Sequence, residues 1–361
     1  MTKRGKVYDV VFRIITLDGI EKQKKLSGYA NKTLAKEAYA QFVTENCELV
    51  KNNPLKRKKA LDEGKDTSTF ADLVPLYIAS LHNQNKESCI VDKMAVIKNF
   101  LLPYFGSMKL PLSQEVLYRW QDELWAKKNP KTGDYYSYNY LSKIRNWLSG
   151  FLVWAESRYG YPNPLPKIKK PKRRTPKTEM LFWTREDFEK FIAVVDNPTH
   201  KAIFMFLFFT GRRKGEVLAL QKSDIKKNEI IFSKTYTRKT LDGSPYKITS
   251  TKNEKIGKTP ICKPLADLIA SYEFDSPFVF GGETPIHENT IAHAFERYIE
   301  KADVKKIRIH DLRHSFVSML IHLGANLTVV ANLIGDTLEQ VTKTYAHLYE
   351  EDKQKIIARI E

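Results

Sequence analysis

Two short segments in the second half of the chain carry side chains that can bind anions or move protons. The motif TGRRKGEVLAL sets Arg213 and Glu216 three residues apart, a spacing that puts both on one face of a helix. The motif HDLRHS puts His310 and Arg313 on a shared helical face in the same way. Taken alone, each pair is typical of an ordinary surface ion pair or of packing.

Two further segments contribute a lysine and a tyrosine. The sequence TKNEKIG lies between strand-like runs and places Lys252 near a hairpin turn, with Lys255 and Lys258 close enough to compete for the same role. The sequence DTLEQVTKTYAHLY has a helical pattern and presents Tyr345. An exposed turn lysine and one tyrosine among 18 are each ordinary by themselves.

Together and in this order, the four segments resemble the signature of the tyrosine recombinases: T-G-x-R-x-x-E, a hairpin lysine, H-x-x-R-H and a final T-x-x-Y-x-H. The resemblance covers residues 179–361. The elements that precede them are similar to those of integrases from phages and integrative elements that bind accessory arm sites. The resemblance implies a site-specific DNA recombinase that integrates or excises a mobile element, such as a phage or a transposon.

The resemblance also implies a role for each main residue. Tyr345 attacks the scissile phosphate to form a 3′-phosphotyrosine, and the 5′-hydroxyl leaves. Arg213 and Arg313 hold the oxygens on which charge develops, which guanidinium groups do without a metal ion. His310 takes the tyrosine proton, because a phenol with a pKa of about 10 is a poor nucleophile at neutral pH. Lys252 returns a proton to the leaving oxygen.

One position departs from the family pattern. Where the family has L-G-H, or a tryptophan for the histidine, this chain reads LIGDTLEQ, so Asp336 stands there. A carboxylate cannot donate a hydrogen bond to a phosphate unless it is protonated, and its charge repels the phosphate. We expect Asp336 to orient a neighbouring group; the alternative is that His310 and Lys252 carry a larger share of catalysis.

Three other residues are expected to support the site. Glu216 is expected to orient the arginine helix through hydrogen bonds, whereas His314 and His347 lie near the site by sequence and have no assigned role. The covalent intermediate retains the bond energy for religation, so the resemblance implies no cofactor and no ATP. No metal site is indicated either, since Cys47, Cys89 and Cys262 are scattered without metal-ligand spacing.

The charge of the chain predicts a polyanionic partner. Its net charge is +18, and the excess is concentrated: residues 1–60 hold 14 Lys/Arg against 6 Asp/Glu, and residues 166–178 hold 7 against none. The second stretch is expected to contact the DNA backbone, and a generic solvated linker is the alternative. The candidate DNA-binding residues in it are Lys167, Lys169, Lys170, Lys172, Arg173 and Arg174.

The sequence patterns around these residues predict an α+β multidomain protein, whose helices and strands must position them. Residues 1–60 are expected to form an arm-type DNA-binding domain with a small β-sheet and a helix, followed by a Lys-rich tether. Residues 67–160 show helical spacing throughout and form an all-helical core-binding domain. Residues 161–178 contain five prolines and read as a basic linker without a packed element. Residues 179–361 form a mixed, mostly helical catalytic domain with a small antiparallel sheet.

The expected partner is double-stranded DNA, with core and arm attachment sites. The resemblance implies a homotetramer on DNA, and a host DNA-bending protein and a directionality factor are plausible partners because stiff duplex resists tight loops. No signal peptide or membrane-spanning run occurs, so a cytoplasmic, nucleoid-associated protein is expected.

Two rival functions use the same residues. The first is a type IB topoisomerase-like nicking and closing enzyme, against which the arm-like N-terminal region argues. The second is a DNA-binding regulator of the same fold without catalysis. Such a regulator is expected to have lost some of the catalytic residues, and this chain keeps Arg213, Lys252, His310, Arg313 and Tyr345.

Overall fold

The computed structural model divides the chain into two compact units. The residues that it describes are 2–4, 7–15, 21–45, 68–82, 84–172, 180–251 and 256–349. The first unit comprises Met1–Pro176 and the second comprises Lys177–Glu361. The predicted tether at residues 51–65 lies outside the described residues. The finer division of the first unit into an arm-binding and a core-binding domain stays a prediction.

A small antiparallel sheet and one helix come first, as the alternating sequence predicts. The strands β1 (Thr2–Arg4), β2 (Val7–Ile15) and β3 (Glu21–Tyr29) pair in the order β1-β2-β3, and α1 (Lys32–Glu45) follows. The Asn31 side chain caps α1 by accepting a hydrogen bond of 2.9 Å from the Leu34 amide. The helix packs on the sheet, because the ring of Phe12 on β2 lies 4.9 Å from the ring of Tyr39 on α1.

Over residues 68–82 and 84–172, the first unit is mainly helical. Its elements are α2 (Phe70–Leu81), α3 (Glu87–Val96), a π-helical turn (Ile97–Leu101), α4 (Leu102–Phe105), α5 (Gln114–Trp125), α6 (Tyr138–Tyr159) and a 3₁₀ turn (Leu165–Lys167). Apolar residues three and four apart meet in one core around Phe70. Trp120 is buried in this core, and Trp125, Trp147 and Trp154 pack against it, so these tryptophans serve as packing residues.

The chain after α6 differs from the linker expected over residues 161–178. Tyr161, Leu165 and Ile168 are buried against the helical core. Arg145 on α6 donates hydrogen bonds to the carbonyls of Leu165 (3.3 Å) and Ile168 (2.7 Å). The prolines exclude an α-helix here, but apolar residues spaced four and three apart still anchor the backbone. This part of the segment is therefore packed and is not a free linker.

The second unit mixes eight helices in the described ranges with two small antiparallel sheets. The helices are α7 (Arg185–Ala193), α8 (Pro198–Thr210), α9 (Lys214–Leu218), α10 (Lys263–Ser271), α11 (Glu288–Ala302), α12 (Asp311–His322), α13 (Leu327–Ile334) and α14 (Leu338–Tyr345). The strands are β4 (Glu229–Phe232), β5 (Lys234–Thr237), β6 (Lys247–Ser250) and β7 (Gly257–Pro260), and the 3₁₀ turns are Lys222–Asp224 and Ala346–Tyr349. Strand β4 pairs with β7, and β5 pairs with β6. The predicted α+β class is confirmed.

The apolar helix α8 organises the core of the second unit. Phe204, Phe206 and Phe208 are fully buried on it, so the helix is surrounded by protein on several sides. It ends at Gly211, whose φ of +60° is the left-handed conformation that glycine adopts without strain. A Cβ at Gly211 would also overlap the ring of Phe316. The end of α8 therefore delivers the arginine motif to a fixed place. No helix within the described ranges is long and apolar enough to cross a membrane.

Candidate active site

Arg213 stands directly before α9 and is held by two carboxylates. Its guanidinium donates a hydrogen bond of 3.0 Å to Glu216 Oε1 and one of 2.9 Å to Asp336 Oδ2. Glu216 is buried, and its second oxygen accepts a bond of 3.5 Å from the Arg213 amide. These hydrogen bonds fix the guanidinium. The arginine side chain is 26% exposed, so the group can still be reached from solvent.

Arg313 on α12 is the buried member of the arginine pair. Its guanidinium donates to the carbonyls of Gly211 (2.9 Å) and Ile334 (2.7 Å), and to Asp336 Oδ2 (2.7 Å). Burial lowers the pKa of Arg313, the nearby Arg213 lowers it further, and Asp336 opposes both effects. The arginine thus joins the end of α8, the end of α13 and the residue that precedes α14 by two positions.

Asp336 brings the two arginines together. One of its oxygens, Oδ2, accepts hydrogen bonds from both guanidinium groups, and the other accepts a bond of 3.1 Å from the Thr337 amide. Two guanidiniums that converge on one anionic oxygen form the arrangement with which arginines bind a phosphate oxygen. The carboxylate therefore occupies a position suited to an anion.

Tyr345 ends α14 and is bonded to a histidine. Its hydroxyl lies 2.6 Å from Nδ1 of His314 on α12. The side chain is buried, and this raises the pKa of Tyr345 to about 12; Arg313 opposes the shift, whereas Asp336 and Asp311 add to it. The tyrosine is consequently protonated at neutral pH and needs a base to become a nucleophile.

His310 lies at the start of α12 and is exposed to solvent. Desolvation by the surrounding protein lowers the pKa of His310, with further contributions from His314 and Arg313. The exposure of the residue limits the size of this shift, but any shift in this direction leaves the imidazole neutral at pH 7. The ring of His310 contacts that of His314 at 5.6 Å between centroids, and His314 in turn contacts Tyr345.

Arg212 is a functional candidate that the sequence interpretation missed. It is buried, and its guanidinium lies 4.8 Å from the ring of Phe232 and donates to Thr259 Oγ1 at 3.2 Å. A Cβ at Gly257 or at Gly335 would overlap this guanidinium, so a side chain at either position would displace the end of Arg212. The available signal was a second arginine inside the motif, next to Arg213.

A pocket opens beside the arginine pair. It has a volume of about 280 Å³, and its lining includes Arg212, Arg213, Lys258, Asn332 and Asp336. Burial lowers the pKa of Arg212 to about 10, and the guanidinium stays charged at neutral pH. The pocket also includes two carboxylates, Glu216 and Asp336, so an anion that binds the cationic groups here must compete with carboxylates that already pair with Arg213.

The lysine predictions have different outcomes. Lys252 and Lys255 lie outside the described residues, in the connection between β6 and β7. Lys258 lies on β7 and pairs with Glu229 at 2.9 Å on the adjacent strand, with 62% of its side chain exposed. Of the three lysines, only Lys258 has a described partner, and that partner is a surface carboxylate.

The basic segment after α6 is only partly described. Lys167 and Lys172 are exposed, and the Lys170 amine lies 5.2 Å from the ring centroid of Tyr138. The Lys169 carbonyl accepts a hydrogen bond of 3.0 Å from Gln121, which fixes the backbone and leaves the side chain exposed. Arg173 and Arg174 lie outside the described residues.

The remaining predictions concern His347 and metals. His347 lies in the 3₁₀ turn that follows α14, and its side chain is outside the described residues. Within the ranges that the structure describes, no cluster of His, Cys, Asp and Glu could hold a metal ion. The cluster that the structure does assemble consists of two arginines, a carboxylate, two histidines and a tyrosine, from α12, the end of α14 and two connecting segments.

Comparison with known sequences gives a family match over the second unit. Residues 182–352 match the model described as the phage integrase family. The chain is 28% identical over 313 residues to the ICEBs1 integrase of Bacillus subtilis (strain 168), which covers 80% of this chain and 82% of that protein. It is 26% identical over 229 residues to a tyrosine recombinase of Thermosipho africanus (strain TCF52B), covering 61% of this chain and 75% of that one.

Comparison with solved structures supports the same fold. The Tn1549 transposon integrase, solved in complex with transposon right end DNA, matches with a TM-score of 0.64 at 16% identity. The match covers 81% of this chain and 99% of that one. At this level of identity, the similarity is one of fold.

Proposed function

Because this chain is a tyrosine recombinase of the integrase type, we propose that it cleaves and rejoins double-stranded DNA at specific sites to integrate and excise a mobile element. The observation that carries the proposal is the convergence of Arg213 and Arg313 on one anionic oxygen, with Tyr345 in the same cluster. An oxygen of the scissile phosphate binds the same two guanidiniums beside that carboxylate oxygen.

The proposed reaction needs no external energy source. The Tyr345 oxygen attacks phosphorus, the bond to the 5′-oxygen breaks, and the DNA 3′ end stays linked to the enzyme as a phosphotyrosine. Arg213 and Arg313 stabilise the negative charge that develops on the non-bridging oxygens. A histidine of the site takes the tyrosine proton, a role that the family resemblance assigns to His310. Lys252 supplies a proton to the leaving 5′-oxygen, and the reverse reaction reseals the strand.

Glu216 and Asp336 act as positioning residues in this proposal. Each accepts a hydrogen bond from Arg213, and Asp336 also accepts one from Arg313, so the carboxylates fix both guanidiniums before DNA arrives. Preorganised donors cost no reorganisation when charge develops, which is the condition for strong electrostatic catalysis. This supports the expectation that Asp336 orients its neighbours.

The proposed DNA contacts extend beyond this cluster. Residues 1–60 bind arm-type sites, and the helical part of the first unit together with the second unit binds the core site. The exposed Lys167, Lys169 and Lys172 contact the DNA backbone, a use that their exposure supports. Four copies of the chain assemble on two duplexes, with a host DNA-bending protein and a directionality factor as accessory partners. The protein accordingly works on the nucleoid.

The decisive experiment is a search for a covalent protein-DNA adduct. Wild-type and Tyr345→Phe protein are incubated with labelled duplexes from the DNA that flanks the gene, without metal or ATP, and run on a denaturing gel. The adduct is expected with the wild type and not with Tyr345→Phe. Tyr272→Phe is the matched control, since that hydroxyl bonds to Thr199 at 2.8 Å in the same unit and should leave the adduct intact.

Two added assays, relaxation of supercoiled DNA and joining of two different duplexes, separate the rival functions. A topoisomerase-like enzyme would form the adduct and relax supercoiled DNA, but it would not join two different duplexes. A regulator without catalysis would bind the duplexes and give no adduct, even on a nicked substrate that traps the intermediate. Either result would contradict the proposed recombinase function.

A further inference from the structure

The Tyr345 hydroxyl is bonded to a histidine other than the one that the resemblance assigns. Its oxygen lies 2.6 Å from His314 Nδ1, which is a short and direct hydrogen bond. The tyrosine is only 3% exposed and packs with Phe316 and Val341, so its orientation is fixed by the core between α12 and α14. Since bulk water has little access to this hydroxyl, the acceptor of its proton has to be a protein group.

A carboxylate stands on the other side of His314. Asp311 Oδ1 lies 3.9 Å from His314 Nε2, and Asp311 is buried. Arg308 fixes the carboxylate with hydrogen bonds of 2.7 Å to Oδ1 and 3.1 Å to Oδ2. The negative charge favours the histidine tautomer with its hydrogen on Nε2, and this leaves the Nδ1 lone pair facing the tyrosine.

We propose that His314 is the general base that accepts the Tyr345 proton, with Asp311 as its positioning residue. The order of nucleophile, imidazole base and carboxylate is the arrangement by which proteins activate hydroxyl nucleophiles. The inference rests on the proposed DNA-cleaving function and identifies the base within it. His310 then contributes through its contact with His314 and is not the proton acceptor.

The proton and electron transfers of the proposed cleavage step balance. As the Tyr345 oxygen forms its bond to phosphorus, its proton moves to His314 Nδ1, and the 5′-oxygen leaves with a proton from Lys252. The transfer accompanies the attack, because burial keeps the free tyrosine protonated and an aryl ester oxygen is far less basic than a phenolate. The resulting imidazolium lies beside the Asp311 carboxylate, which stabilises its charge. In the reverse reaction, His314 returns the proton to the tyrosine.

The charged and titratable groups around His314 set its protonation state. Burial lowers the pKa of His314, Asp311 opposes that shift, and Arg308 and Arg313 add to it. His310 lies against the ring on the same helix, and Tyr345 faces it from α14. The imidazole is therefore neutral at pH 7 and ready to accept a proton. A bound phosphate adds negative charge to the cluster and favours the imidazolium once it forms.

A single-turnover cleavage assay on the full chain tests the base assignment. Adduct formation is measured from pH 5 to 9 on a nicked duplex for the wild type, His314→Gln and His310→Gln. We expect a wild-type rate that falls at acidic pH as the base becomes protonated. His314→Gln should be slower by about 10²–10⁴-fold, the usual contribution of a general base, and should lose this acidic limb. His310→Gln should keep the limb.

A modified substrate separates the base from the acid. A sulfur in place of the bridging 5′-oxygen at the scissile phosphate makes a leaving group that needs no proton. With this duplex, Lys252→Ala should regain most of its rate, whereas His314→Gln should stay as impaired as on ordinary DNA. DNA affinity and melting temperature, measured for each variant, identify any rate loss that comes from misfolding.

Three results would overturn the assignment. They are a rate loss of less than about tenfold in correctly folded His314→Gln, retention of its acidic limb, and its rescue by the sulfur-containing substrate. Faster cleavage by His314→Gln would likewise show that the histidine only holds the tyrosine in a resting position. Failure of the wild type to form any adduct would instead refute the proposed function itself.

Discussion

Replacing Asp336 with asparagine removes the charge that bridges the two arginines and keeps the shape of the side chain. The carboxylate oxygen accepts hydrogen bonds of 2.9 Å from Arg213 and 2.7 Å from Arg313. Hydrogen bonds to charged groups contribute about 1.5–3 kcal/mol each to stability. Their loss also leaves two guanidiniums close together with less compensating charge.

Three features make the expected loss in free energy of unfolding smaller than the sum of two such hydrogen bonds. The asparagine oxygen still accepts weaker hydrogen bonds, Glu216 still neutralises Arg213, and the aspartate side chain is 23% exposed, so that water screens the interaction. We expect the free energy of unfolding to fall by about 2 kcal/mol. For a domain of roughly 150–250 residues, this corresponds to a decrease of about 4–8 °C in melting temperature.

The assay is thermal unfolding of the full chain with and without inorganic phosphate, at matched ionic strength. In Asp336→Asn, the space between the guanidiniums lacks its carboxylate charge, so phosphate should bind there and raise the melting temperature. The wild type should gain less, because its own carboxylate competes with phosphate. The melting temperature of the variant should therefore approach that of the wild type as phosphate is added.

Asp224→Asn is the matched control for this experiment. Asp224 is also a mostly buried carboxylate, 14% exposed, which pairs with Lys234 at 3.4 Å in the same unit and lies outside the arginine cluster. Its replacement should lower the melting temperature without any specific recovery in phosphate. The reasoning is refuted if Asp336→Asn melts within about 1 °C of the wild type, or if phosphate stabilises both variants equally.

Three further predictions concern other residues. Arg313→Lys should slow adduct formation by about 10²-fold or more, because the compact ammonium lacks the planar fork that lets one guanidinium nitrogen bind both carbonyls while the other faces the anionic oxygen; single-turnover rates within tenfold of wild type would contradict this. Removal of residues 1–60 should flatten the salt dependence of DNA binding and leave core-site cleavage intact, and an unchanged slope in a salt titration would disprove the arm-binding role. The folded pKa of His310 lies below the unfolded value of about 6.5, so the unfolded state binds the proton first and stability falls as the pH drops below about 6.5. Denaturant unfolding should show a smaller decrease for His310→Gln, and equal decreases would contradict the shift.

The sequence predicted the element types well, because their signals are local. The helical spacing anticipated α2, α5 and α6, and the alternating pattern anticipated the N-terminal strands and the helix capped by Asn31. The packing of Tyr161 and Ile168 was not anticipated, since prolines indicate only which backbone conformations are excluded. Arg145 anchors that segment through hydrogen bonds to backbone carbonyls, and such bonds cannot be predicted from the spacing of residues in the sequence.

Candidate site residues could be named from the sequence, but their hydrogen-bond partners could not. Motif order placed Arg213, Arg313 and Tyr345 in one site, and the structure brings all three into one cluster. The bridging position of Asp336 depends on how α13 ends relative to α12, which is a tertiary property. The choice between His310 and His314 likewise depends on helical rotation and on the tyrosine's approach from α14.

The guanidinium of Arg313 binds the carbonyls of Gly211 and Ile334, which belong to segments more than 100 residues apart in the chain. The side chain can therefore take its observed orientation only when the segments that contain Gly211, Ile334 and Asp336 are all in place. A fragment cut before Ile334, by a protease or by interrupted translation, would retain both arginines but lack the second carbonyl, the bridging carboxylate and the tyrosine. On the proposed function, such a fragment could not cleave DNA, because it would lack the nucleophile as well as two of the groups that orient the Arg313 guanidinium.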